Sequence, residues 1–224
     1  MDGILIIDKP KAWTSHDVID FVRGRLGVKK AGHTGTLDPM ATGVLVVLLG
    51  KYTKSADLFL SDDKEYEATL TLGATSDTGD ADGVITPSGR TADISAETIE
   101  RILDKFRGKI EQATPMYSAA KVNGKRLYQL ARKGVTIETK PRAVVIMALE
   151  IKNIALPEVS FRVVCSKGTY IRQLAADIGS ALGCGAYLSA LRRTRSGRFT
   201  IDRAVGIDHL MAMSDADLLG RIVV

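Results

Sequence analysis

Cysteine is nearly absent from this chain: its 224 residues carry two, Cys165 and Cys184, far apart and in no C-x-x-C pair. A disulfide framework is therefore not expected, and reduced thiols in a reducing compartment are. Histidine is equally scarce. His16, His33 and His209 show no H-x-x-x-H spacing, which argues against a zinc site. The longest aliphatic run, VLVVLL at residues 44–49, falls far short of the roughly 20 residues that cross a bilayer. The N-terminus, MDGILIIDKP, starts with an acid and has no basic region ahead of a cleavage site, so no signal peptide and a cytoplasmic location are expected.

Several catalytic signatures are missing too. SKGT, residues 166–169, lacks the upstream glycine of a P-loop, and GCGAYL has Leu188 where G-x-G-x-x-G needs glycine. No serine sits in a G-x-S-x-G elbow. TSDTGDADG, residues 75–83, is dense in Asp, Gly and Thr but fails the EF-hand register and reads as a loop. Nucleotide hydrolysis, dinucleotide redox chemistry and serine hydrolysis all recede.

What remains is an ordinary globular composition, 45% hydrophobic and 25% charged, with a net charge of +5. The length suits one large domain or a domain with a small appendage. The positive balance leans towards a polyanion, because Lys and Arg gain free energy by releasing counterions from phosphates. It is concentrated in two places. Residues 114–142 hold Lys121, Lys125, Arg126, Arg132, Lys133, Lys140 and Arg142 interleaved with Tyr117 and Tyr128, as looped RNA requires, although a solvated helical surface would look alike. Residues 187–201 gather Arg192, Arg193, Arg195 and Arg198.

The local patterns give a strand at GILIID, then a helix capped at Thr14 or Ser15 with Val18, Ile19, Val22 and Leu26 inward. TGVLVVLLG reads as a fully buried strand, and KEYEATLTLG as a half-buried one with Tyr66, Ala68, Leu70 and Leu72 inward. SAETIERILDKFRG predicts a helix with Ile99, Ile102, Leu103 and Phe106 on one face. RAVVIMALEI and EVSFRVVCS are strands, and TYIRQLAADIGSALG is a helix. Strands outnumber helices without regular alternation, which predicts an α+β fold on a mixed, largely antiparallel central sheet flanked by helices.

One stretch poses a chemical question. AGHTGTLDPMATGVLVVLLG sets a lone carboxylate, Asp38, on a glycine-rich turn with Pro39 fixing the next φ. Such a carboxylate is placed to act as nucleophile or base, and equally to cap a turn.

GILIIDKPKAWTSHDV, AGHTGTLDPMATGVL, KEYEATLTLGATSDTGDADG, PMYSAAKVNGKRLYQLARKG and CSKGTYIRQLAADIG occur in the order found in the TruB family of pseudouridine synthases. The resemblance covers roughly residues 3–210, and five ordered motifs make it specific. It implies a catalytic domain over 1–210, with residues 114–142 as a mobile thumb; the family usually continues into a small RNA-binding domain of the PUA type, and the sequence departs from it in that only a short tail at 211–224 is expected. It implies conversion of uridine 55 in the tRNA T loop to pseudouridine, without cofactor, metal, membrane or guide RNA, by a monomer.

By motif, Asp38 matches the catalytic aspartate, Tyr66 a tyrosine stacked on the target base, and Arg172 the arginine that ion-pairs with the aspartate. Tyr170 and Leu191 match pocket residues, and His33 the histidine inserted into the T loop. Lys9, Asp80, Lys121, Lys125, Arg126 and Arg193 complete the expected substrate-binding set, with Lys9 beside Pro10 read as mainly structural and the role of Asp80 left open. A guide-dependent synthase and a non-catalytic RNA-binding protein are the rival readings. The thumb argues against the first, and the set of Asp38, Tyr66 and Arg172 against the second.

Overall fold

The aliphatic run of residues 44–49 can be apolar at every position because the strand that holds it, Thr42–Leu49, is covered on both faces. Leu45, Val47 and Leu49 pack with Leu5 and Ile7 of the antiparallel strand Gly3–Lys9 on one face. Val44, Val46 and Leu48 pack with Ile4, Ile6 and Phe199 on the other. The helix Ser15–Leu26 closes the first face with Val18, Ile19 and Val22, each contributing about 1.5–3 kcal/mol by burial. It starts at a capping box, in which Thr14 Oγ1 accepts the Asp17 N–H (3.0 Å) and the Asp17 carboxylate accepts the Thr14 N–H (2.7 Å).

The computed structural model describes residues 1–91, 93–122 and 124–223, with the main chain alone for Lys121. The chain divides into two compact units, Met1–Glu67 with Leu191–Val224, and Ala68–Ala190. In the first, Gly3–Lys9 takes one whole edge of Thr42–Leu49. The other edge is shared. Ala31–His33 pairs antiparallel with its last residues, and Arg192 and Arg193 run parallel to Thr42 and Gly43 at its start. Residues 34–41 span the gap between those two partners and carry Asp38. Residues 211–224, read from the sequence as a tail, bury Leu218 in the same core, and Ile4 and Val223 exchange two backbone hydrogen bonds.

In the second unit Glu158–Cys165 and Gly108–Gln112 flank Arg142–Ala155, both antiparallel to it. The helices Ala96–Asp104 and Ile171–Ala181 bury Ile99, Leu103, Ile171, Leu174 and Ile178. The strand Lys64–Leu72 alternates as expected, with Tyr66, Ala68, Leu70 and Leu72 buried. The architecture is α+β with a mixed, largely antiparallel sheet, as the pattern predicts. Phe106 falls just past its helix, which ends at Asp104 because Gly108, at φ +84°, opens the next strand. The basic stretch 114–142 forms a small hairpin, Lys121–Val122 with Lys125–Arg126, and a short helix, Leu127–Ala131, with Leu127 buried. No helix among the described residues is long and apolar enough to cross a membrane.

Gly43 is required where the two parallel segments meet. Its φ is +101°, and a Cβ there would lie 2.2 Å from the Arg193 carbonyl oxygen. Gly27, at φ +61°, has nothing within 4 Å of such a Cβ. Gly43→Ala is expected to cost at least about 2 kcal/mol in urea unfolding, against about 1 kcal/mol for Gly27→Ala. Equal losses would show that the contact with Arg193 yields freely.

Candidate active site

Around Asp38 the loop backbone is hydrogen-bonded almost residue by residue. The Thr34 N–H donates to the Val46 carbonyl (3.1 Å), and the Gly35 carbonyl accepts from Arg193 Nη2 (3.1 Å). Ser15 Oγ accepts the Leu37 N–H (2.8 Å) and donates to the Leu37 carbonyl (3.0 Å). The Asp38 carbonyl accepts from the Ala41 N–H (3.0 Å), closing a turn with Pro39 at its second position. The Pro39 carbonyl accepts from the Ala12 N–H (2.9 Å) and from Lys9 Nζ (3.4 Å). Leu37 and Met40 are buried on either side, while Asp38 is half-buried.

Lys9 and Arg193, expected among the substrate-binding residues, are placed in the interior of this unit. Lys9 is fully buried and donates to the carbonyls of Pro10, Trp13 and Pro39. Arg193 is 1% exposed, and its Nε donates to the Val44 carbonyl (2.6 Å). Buried cations are tolerated when their N–H groups are hydrogen-bonded, and here backbone carbonyls accept them. The rest of the second basic cluster is also engaged. Arg192 pairs with Asp8 (2.7 Å), Arg195 with Glu65 (3.6 Å), and Arg198 lies over the Phe199 ring. Tyr66 and Leu191 are each 8% exposed. His33 ends its short strand with Nδ1 buried and with no hydrogen-bond partner among the described residues.

The second unit contributes a separate group. Arg172, on the first turn of its helix, is 4% exposed, as is Asp80. Its Nε lies 3.4 Å from Asp80 Oδ2, and its Nη1 and Nη2 each donate at 2.7 Å, to the carbonyls of Thr78 and Tyr117. Asp80 is itself held by the Thr78 hydroxyl (2.6 Å) and the Asp82 N–H (3.2 Å). Asp80, whose role the sequence left open, is thus a carboxylate that holds Arg172 within this unit. Tyr170 is fixed by Gln112, whose side chain accepts the Tyr170 N–H (2.8 Å) and donates to its carbonyl (3.1 Å). The Arg142 guanidinium covers the Tyr170 ring at 4.5 Å. Lys125 and Arg126 are exposed on the small hairpin, and the Lys121 side chain lies outside the described residues.

Sequence reading missed Ser15, Thr78 and Gln112. Position offered a signal for Ser15, which opens the predicted helix; Gln112, a fully buried amide on a strand, offered none. No cluster of three or more His, Cys, Asp or Glu able to hold a metal occurs among the described residues.

Comparison with known proteins bears on the whole chain. The family model described as TruB family pseudouridylate synthase (N terminal domain) matches residues 23–171, and that of the tRNA pseudouridylate synthase B C-terminal domain matches 172–223. A protein named tRNA pseudouridine synthase B from Azoarcus sp. (strain BH72) is 50% identical over 95% of this chain and 70% of its own length. Another of that name from Geobacter sulfurreducens is 45% identical over 100% of this chain and 74% of its own. Among solved structures, the Cbf5 chain of a Cbf5-Nop10-Gar1 complex superposes with a TM-score of 0.73 at 34% identity, covering 92% of this chain. This chain spans about half of that one, 54%.

Desolvation holds the His33 imidazole below its ordinary value of 6.5, and the charges of Arg193 and His16 push it the same way. The folded state therefore binds this proton less readily than the unfolded state. The stabilising contribution is complete above pH 6.5 and is lost as pH falls through the folded-state value. Urea unfolding at pH 7.5 and 5.5 should show a smaller acid-side loss in His33→Gln than in the parent protein, and an unchanged loss would remove His33 as its source.

Proposed function

The chain belongs to the TruB family of pseudouridylate synthases, and from that premise we propose that it isomerises uridine in tRNA to pseudouridine, at position 55 of the T loop. Breaking the bond from ribose C1′ to base N1, turning the base and joining C5 to C1′ neither adds nor removes atoms. No co-substrate is needed. A glycosidase uses two carboxylates because one protonates a leaving group while the other attacks. Uracil leaves as a resonance-stabilised anion and is retained, so one carboxylate suffices, and we assign it to Asp38. Attack at C1′, removal of the 2′ proton to give a glycal, and addition to C6 are the three routes open to it.

The observation that carries this reading is a half-buried carboxylate on a loop whose main chain is bonded from Thr34 to Ala41, at the family motif's aspartate. Electrostatic and positional catalysis both need a group that does not reorganise when the substrate arrives. In this reading Tyr66 stacks on the target base and takes the C5 proton, Leu191 gives the base an apolar wall, and Tyr170 is a further substrate-binding tyrosine. Arg172, pre-oriented by Asp80, supplies the positive charge. Extruding a base from the folded T loop costs a few kcal/mol, and His33 fills the space it leaves. The exposed cations Lys125 and Arg126 place the basic hairpin of residues 114–142 on the RNA backbone as a closing clamp. The Cbf5-Nop10-Gar1 complex holds a chain that resembles this one in fold, while the relatives at 45–50% identity are named for tRNA, which favours a tRNA substrate taken without a guide.

Asp38→Asn is expected to reduce pseudouridine formation in an unmodified tRNA transcript by at least about 10³-fold. Binding should change by no more than about threefold, because phosphate contacts dominate it. Turnover by that variant at the parental rate would remove Asp38 from the chemistry.

A further inference from the structure

Two buried side chains hold the backbone of the Asp38 loop, and we propose that Ser15 and Arg193 are positioning residues for its carboxylate. The proposal rests on the reading of Asp38 as the reacting group. A hydroxyl has one proton and two lone pairs. Ser15 spends the proton on the Leu37 carbonyl (3.0 Å) and a lone pair on the Leu37 N–H (2.8 Å). Those two groups belong to the peptide planes on either side of the Leu37 Cα. Fixing both fixes the Leu37–Asp38 peptide, and with it the direction in which Asp38 leaves the chain. Ser15 is 2% and Leu37 3% exposed, so water has no room to replace the hydroxyl. Ser15 is in turn anchored by the capping box at Thr14 and Asp17, at the start of a helix packed into the core.

Arg193 ties the start of the same loop to the strand that follows it. One guanidinium holds the Gly35 carbonyl (3.1 Å) before Asp38 and the Val44 carbonyl (2.6 Å) after it. The planar fork suits two acceptors at once, and a lysine ammonium on a flexible stem does not reproduce that geometry. Arg193 is buried beneath the loop, so its contribution passes through the backbone of Gly35 and Val44 and not through contact with RNA. Active-site groups have to be held within about 0.5 Å, and a shift of about 1 Å costs on the order of 10²-fold in rate.

The test is the single-turnover rate constant of Ser15→Ala with enzyme in excess over a tRNA transcript, at a temperature where circular dichroism shows the variant folded. Retained Ser15→Ala protein is expected to react about 10- to 100-fold more slowly, with full amplitude and a tRNA Kd within about twofold of the parent. A merely structural role would leave the rate constant of the folded protein, at saturating enzyme, at the parental value, which would overturn the proposal. Where Ser15→Ala does not fold, Arg193→Lys is read in the same way. Amide exchange at Leu37 in the unaltered protein gives a further check: protection by at least about 10³-fold supports the clasp, and exchange at the rate of an open loop overturns it. Parental turnover by Asp38→Asn would sink the functional reading itself. An inactive Asp38→Asn beside a fully active Ser15→Ala would sink the positioning role alone.

Discussion

A strand covered on both faces has little access to water along its edge, and an unmet carbonyl there costs about 1–3 kcal/mol. Thr42–Leu49 is such a strand, and between the segments that pair with the start and end of its second edge the carbonyls of Val44 and Val46 need donors. Arg193 supplies one from its side chain and Thr34 supplies the other from its backbone. The loop of residues 34–41 is drawn onto the strand edge by this need, and Asp38 is presented by a segment that cannot lift without exposing buried polar groups. Hydrogen-bond satisfaction in the core and orientation of the carboxylate are therefore one structural problem with one solution.

The same accounting changes how the net charge of +5 is read. Lys9, Lys64, Arg172 and Arg193 are buried, and backbone carbonyls accept hydrogen bonds from all four. They are part of the interior and do not attract RNA directly. Exposed cations such as Lys125 and Arg126 remain for long-range steering, on a hairpin and short helix anchored by Leu127. In the proposed reading positive charge thus does two kinds of work, bracing loops from within and gathering a polyanion from outside.

Much of this was legible in the sequence, and the reasons differ by residue. The strand holding VLVVLL, the alternation of Tyr66, Ala68, Leu70 and Leu72, and the cap at Thr14 follow from local periodicity and capping chemistry, which need no distant partner. Asp38 stood out as a lone carboxylate on a turn, and the ordered motifs supplied its meaning. Lys9, beside Pro10, reads as mainly structural in the family motif, while the interior role of Arg193 was hidden because an isolated Arg reads as surface. Arg193 does follow Leu191 at the period of a strand, which was the available hint that both face inward. Its acceptors, at Gly35 and Val44, lie about 150 residues away in the chain, beyond any local pattern. Gln112, which fixes Tyr170 from 58 residues away, was hidden for the same reason.

In the proposed reading the residues of this chain alone both bind the T arm and isomerise its uridine. Incubating the purified protein, with no other protein or RNA, with an unmodified T-arm stem-loop and mapping pseudouridine by chemical modification and primer extension tests that directly. One new pseudouridine at the T-loop position corresponding to tRNA uridine 55 is the predicted result. Absence of product until a guide RNA is supplied, or product at scattered uridines, would contradict it.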